Sequence, residues 1–291
     1  MSTEVQIRTS DGWTSTATAT GDLTSGTPVV LLHGLSQQRR FWDPVRNRLG
    51  ARPAITIDQR GHGDSSADAQ ADYSIPRCAL DVIEFMDSLG IQRVQAVGHS
   101  WGASVALHLA ANWPDRVEAA ALIDGGLWMP PGATTSRAEV LERLRPPVLG
   151  IPESELWERI GSGGLSGYLT DEVRAALAPT YDIDDEGLAR TRIGMDRHMA
   201  VLGGMLDYDP WSDAEQLQVP VWVAFCEPRD TQSDPVRLAA IARASALPTS
   251  IVHQWAGAIH DVPLQWPMLV AGFIDAMLTD RDAEKRGGLH D

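Results

Sequence analysis

Apolar residues recur along the chain in two rhythms. Short runs at PVVLLH (28–33), PAITID (53–58), RVQAVG (93–98), VEAAALID (117–124), VPVWVAF (219–225) and TSIVHQW (249–255) are apolar almost without a break. That is the pattern of parallel strands covered on both faces. Ahead of them, EVQIRT (4–9) and WTSTATAT (13–20) flank Ser10-Asp11-Gly12 and predict an antiparallel hairpin. Helical periods fill the gaps. In YSIPRCALDVIEFMDSLG the residues Leu80, Ile83, Met86 and Leu89 keep a spacing of three and four, Ser74 is placed to cap the start, and Gly90 ends the run. Residues 267–278 open with Pro267 in a first turn and hold Leu269, Val270, Phe273, Ile274 and Met277 on one side. Eight strands alternating with helices predict a doubly wound α/β sheet.

One region breaks the alternation. Between Asp124 and Val219 the pattern offers no strand, only helical pieces near 136–145, 153–160, 170–177 and 186–206. The glycine-rich GSGGLSG (161–167) between them lacks the Lys-Ser/Thr of a phosphate loop and reads as a flexible connection. The expectation is a core built from 1–126 and 213–280, a helical cap inserted at 127–212, and a polar tail, 281–291, that frays.

Charge and cysteine count narrow the setting. A net charge of −15 argues against nucleic acid and anionic membrane surfaces as partners. Cys78 and Cys226 are too few and too far apart for a disulfide framework, so free thiols in a reducing compartment are expected. The start MSTEVQIRTSDG has no basic-then-apolar leader, and no apolar stretch reaches about 18 residues. A cytoplasmic location is the expectation.

Candidate chemistry centres on Gly98-His99-Ser100-Trp101-Gly102. A lone Gly-x-Ser-x-Gly is a weak signal, but here a strand (VQAV) leads in and a helical pattern follows at once. A strand-to-helix turn this tight strains the serine backbone and needs small neighbours, which Gly98 and Gly102 supply. It lifts the hydroxyl clear of the sheet, beside a helix N-terminus that favours developing negative charge. Ser100 therefore reads as a nucleophile rather than a structural serine.

With these residues in view, the sequence resembles the α/β-hydrolase superfamily over most of its length. LLHGLS (31–36) resembles the family's His-Gly turn after its third strand, DQRGHGDS (58–65) the loop after its fourth, and GHSWGA (98–103) its nucleophile elbow. The resemblance implies an α/β-hydrolase fold: an eight-stranded, mostly parallel sheet with helices on both faces and a helical cap. It implies the order nucleophile, acid, histidine. His260, just past the last strand, is then the general base; His33, His62 and His99 belong to the structural motifs. His108 and His198 fall on helical patterns, His253 in a strand and His290 in the tail. The acid is expected from the loop after the seventh strand, AFCEPRDTQSDP, where Asp230 is favoured and Glu227 and Asp234 are neighbours. The alternative is Asp124, at the end of the sixth strand. The oxyanion donors implied are the backbone N–H groups of Leu35 and Trp101.

The elbow serine stands where dehalogenases and epoxide hydrolases of the superfamily carry aspartate. There is no His-Glu-x-x-His, no Cys/His cluster and no dinucleotide fingerprint, so neither metal nor cofactor is expected. Trp128 and Trp157, in the cap, and Trp211, at its end, serve either packing or an aromatic-lined substrate pocket. The expected activity is cleavage of a small ester or lactone through an acyl-enzyme. C–C bond hydrolysis, a perhydrolase activity and a peptidase activity similar to that of proline iminopeptidases are alternatives, although HGLSQ stands where those peptidases have a glycine-proline-rich turn. A non-hydrolytic small-molecule receptor on the same fold is the rival from another class.

Overall fold

The structure, a computed structural model, describes residues 2–127, 136–146, 150–227 and 235–287. The chain opens with β1 (Ser2–Arg8) and β2 (Thr14–Thr20), an antiparallel hairpin in register from Ser2 opposite Thr20 to Arg8 opposite Thr14. β3 (Val29–Leu32), β4 (Ala54–Asp58), β5 (Val94–His99) and β6 (Val117–Ile123) follow. The inserted segment contributes β7 (Ile151–Pro152), β8 (Tyr181–Ile183) and β9 (Leu188–Thr191), and the chain returns as β10 (Val221–Glu227) and β11 (Ser250–Ala256).

The large sheet has the order β1-β2-β4-β3-β5-β6-β10-β11, parallel from β4 to β11 and antiparallel at the hairpin end. Its central strands β3 to β6 read as nearly unbroken apolar runs because both faces are covered. Val30 and Leu32 point into one core cluster and Val29 and Leu31 into the other, and all four are at most 1% exposed. Complete burial of one such side chain contributes roughly 1.5–3 kcal/mol. The helix Ile75–Ser88 is capped by the Ser74 hydroxyl, which accepts the Arg77 N–H, and Gly90 at φ +67 turns the chain away from it.

Strand order reverses at β3: β4 lies on one side of it and β5 on the other. In a doubly wound sheet the crevice at the carboxyl ends of such strands is where a ligand can be held. The turn after β3 and the turn after β5 both open there.

Two expectations are corrected. The inserted segment is not purely helical: β7, β9 and β8 pair antiparallel into a small sheet, and β9 occupies part of the stretch expected as helix from 186, so that the helix begins only at Met195. The helix from Pro267 does not stop at 278; it continues to Gly287 through the good helix formers Ala283, Glu284 and Lys285. Among the described residues no helix is long and apolar enough to cross a membrane.

Candidate active site

Ser100 ends β5 and starts the helix Trp101–Asn112, with φ +54 and ψ −118. Among the described residues, the others outside glycine with positive φ are Ser36 (+66) and Asp124 (+46). Non-glycine residues persist in this region only where their surroundings over-determine them. At the elbow the cause is visible. A Cβ on Gly98 would lie 2.1 Å from the Gly102 carbonyl oxygen, and one on Gly102 would lie 2.3 Å from that of Leu32. A Cβ on Gly125 would meet the Ser100 carbonyl oxygen at 2.3 Å. The Ser100 N–H donates to the Ile123 carbonyl at 3.0 Å, which ties the elbow to β6.

His260 arrives on the loop after β11. Gln265 braces that loop from both ends, accepting the Ile259 N–H at 2.8 Å and donating to the Gly257 carbonyl at 3.2 Å. The His260 carbonyl lies 2.7 Å from His99 Nε2, so the residue before Ser100 positions the loop that carries His260. His260 Nε2 is 3.0 Å from Ser100 Oγ, and its Nδ1 is 2.6 Å from Asp124 Oδ2. Asp124 is 6% exposed, and its other oxygen accepts the Cys226 N–H at 3.0 Å, with the Arg237 guanidinium 4.0 Å away. A carboxylate on Nδ1 keeps the proton of the neutral ring there and leaves the Nε2 lone pair facing the serine hydroxyl.

The electrostatics agree. Desolvation opposes a charged His260, but the hydrogen bond and charge of Asp124, with the nearby charge of Asp261, hold its pKa above the usual histidine value. Its side chain keeps 51% of its surface open. His99, fully enclosed, is pushed down to about 3 by burial and by the neighbouring His260, and stays neutral.

The favoured acid, Asp230, lies outside the described residues, as do Asp234 and Trp128. The carboxylate on His260 Nδ1 belongs to the alternative, Asp124. Glu227 closes β10, where its carbonyl accepts the Gly257 N–H at 2.8 Å. Trp157 is packed: its indole N–H donates to Glu153 at 3.0 Å, and the Arg174 guanidinium sits 4.5 Å from its ring centre. Trp211 carries Arg243 at 4.1 Å in the same way. His108 pairs with Asp213 at 2.6 Å, and His253 stacks on Trp222, both away from Ser100.

The turn after β3 brings Leu35 to the elbow. The N–H groups on either side are occupied, Gly34 by Gln37 Oε1 at 2.9 Å and Ser36 by His62 Nε2 at 3.2 Å, while that of Leu35 takes part in no hydrogen bond among the described residues. The Trp101 N–H opens a helix and has no acceptor within it.

Sequence reasoning missed Gln37. Its amide joins three walls of the crevice: it accepts from Gly34, lies 3.3 Å from His99 Nδ1, and donates to Asp261 at 2.9 Å. Two glutamines in a row carry no signal; only the fold reveals that Gln37 reaches His99 and Asp261 while Gln38 reaches the Ala176 carbonyl. Among the described residues no group of His, Cys, Asp and Glu is arranged to hold a metal ion, and Cys78 and Cys226 are buried free thiols.

Comparison with known proteins fits this geometry. An abhydrolase domain-containing protein of Schizosaccharomyces pombe is 36% identical over 104 residues, which span 35% of this chain and only 38% of that one. A Bacillus subtilis protein whose name proposes a 2-succinyl-6-hydroxy-2,4-cyclohexadiene-1-carboxylate synthase is 28% identical over 94% of this chain and 98% of its own. The crystal structure of an E-2-(acetamidomethylene)succinate hydrolase superposes with a TM-score of 0.73 at 23% identity, over 94% of this chain and 100% of that one. The alpha/beta hydrolase family model matches residues 29–271, and the chain belongs to that family.

Proposed function

We propose that the protein is a serine hydrolase that cleaves a small ester or lactone through an acyl-enzyme, with Ser100, His260 and Asp124 as its triad. The observation that carries the reading is the continuous line from Ser100 Oγ to His260 Nε2 (3.0 Å) and from His260 Nδ1 to Asp124 (2.6 Å), built on a strained elbow. Ser100 attacks the carbonyl carbon as His260 takes its proton; His260 then returns that proton to the leaving alkoxide. Asp124 holds the ring and stabilises the imidazolium. The N–H groups of Leu35 and Trp101 receive the developing oxyanion. Water, activated by the same histidine, releases the acid. This chemistry asks for no cofactor. The segment 127–212 acts as a cap over the crevice: Gln38, beside the oxyanion turn, donates to the Ala176 carbonyl at 2.8 Å.

The full-length match to a protein named for a synthase favours one second reading, in which the same base and oxyanion donors serve a synthase reaction rather than hydrolysis. A fluorophosphonate probe and a panel of p-nitrophenyl esters and lactones test the proposal together. The expected outcome is a label on Ser100, steady turnover, and a loss on the order of 10⁶ in turnover for Ser100→Ala with the fold intact by circular dichroism. Labelling without turnover points to a receptor. Retention of a tenth of the activity by Ser100→Ala overturns the nucleophile.

A further inference from the structure

Ser36 follows directly on Leu35, the proposed oxyanion donor, and sits at φ +66. Nothing in its own chemistry favours that backbone, so its neighbours hold it there. Two buried histidines do so from different parts of the chain. His62, from the loop after β4, accepts the Ser36 N–H at 3.2 Å; its own Nδ1 lies 3.0 Å from the Arg60 carbonyl, which fixes the proton on Nδ1. His198, on the inserted helix Met195–Leu206, places Nδ1 2.7 Å from the Ser36 hydroxyl. Burial holds the pKa of the ring below the usual value. In the tautomer with its proton on Nε2, the neutral ring accepts the Ser36 O–H at Nδ1.

We infer that His198 is a positioning residue: by accepting the Ser36 hydroxyl it fixes the turn that aims the Leu35 N–H at Ser100, so that the inserted segment completes the oxyanion site when it is seated. The inference rests on the proposed function, since it assumes an oxyanion to be stabilised. It also gives the insertion a part in the chemistry besides covering the crevice. An oxyanion donor matters in the transition state and little in ground-state binding, so the effect belongs in kcat rather than KM.

The test uses the full-length protein, p-nitrophenyl acetate and butyrate, and four variants: Ser36→Ala, His198→Leu, their double mutant, and His198→Asn, whose Oδ1 falls where Nδ1 was. Outright loss of an oxyanion donor costs about 10²–10³ in kcat, so its misplacement should cost ~10–100-fold, with KM within about threefold. The double mutant should be no slower than the worse single one, because both lose the same bond. His198→Asn should recover most of the lost kcat. Unchanged kcat in His198→Leu, a loss confined to KM, additive single losses, or an Asn variant no better than Leu would each overturn the inference while leaving the triad standing. A wild-type protein that neither turns over esters nor reacts with a fluorophosphonate overturns the proposed function, and this inference with it.

Discussion

Asp124 and His260 carry opposite messages in their exposure. Asp124 is buried at the end of β6, and the His260 side chain is half open to solvent. Because Asp124 and Asp261 raise the His260 pKa, the ring is charged at pH values where an ordinary histidine is neutral, and the base works only when neutral. The acidic limb of kcat/KM should therefore have its midpoint above about 6.5, the unperturbed value. Asp261→Asn keeps an acceptor for Gln37 but removes one of the charges, and should move that limb to lower pH. A pH profile of p-nitrophenyl acetate hydrolysis reads both; a wild-type limb at or below 6.5 contradicts the assignment. Ser100 and His260 can be picked out as candidates in the sequence because each falls at a place with its own pattern. The carboxylate that the fold sets on His260 Nδ1 cannot: an aspartate closing an apolar strand looks the same whether structural or catalytic. The local sign beside it is Gly125, where a Cβ would meet the Ser100 carbonyl oxygen at 2.3 Å, so the residue after Asp124 packs against the elbow.

Glycine decides how closely the elbow can pack. In Gly98→Ala the new methyl would lie 2.1 Å from a carbonyl oxygen of the opening helix, backbone against backbone with no rotamer to relieve it. A loss of roughly 3 kcal/mol or more in urea unfolding is expected. Gly164→Ala, with no atom within 4 Å and no positive φ, should change stability by less than about 0.5 kcal/mol. Equal effects at the two sites would mean that the strand-to-helix turn is not the tight one described. The central strands of the large sheet are readable from the chain because two-sided burial writes a nearly continuous apolar run, and β1 and β2 because they flank Ser10-Asp11-Gly12 as a hairpin. β7, β8 and β9 are not. Ile151–Pro152 is two residues long and contains a proline, and Tyr181-Asp182-Ile183 is mostly exposed, so these strands exist by pairing with each other rather than by their own pattern.

At the scale of the whole molecule, the site is surrounded by histidines kept neutral by burial. His33, His62, His99 and His198 all have lowered pKa values in the folded protein. Unfolding frees them to take up protons below about pH 6.5, so the unfolded state binds more protons there and stability falls as pH falls. Each can contribute at most about 1.4 kcal/mol per pH unit. His260 has the opposite sign: its stabilising contribution is complete below about 6.5 and is lost as pH rises through its raised value. Urea midpoints should therefore drop between pH 7 and pH 5, before most carboxylates titrate; a flat profile would contradict the neutral histidines. The central claim, that Asp124 completes a working triad with His260 and Ser100, is tested most directly by comparing two variants in one ester assay. Asp124→Asn should lose on the order of 10⁴ in turnover, as expected when the group that sets the histidine tautomer is removed, and Asp230→Asn should stay close to wild type. The reverse result would contradict the account and return the acid to the loop after β10.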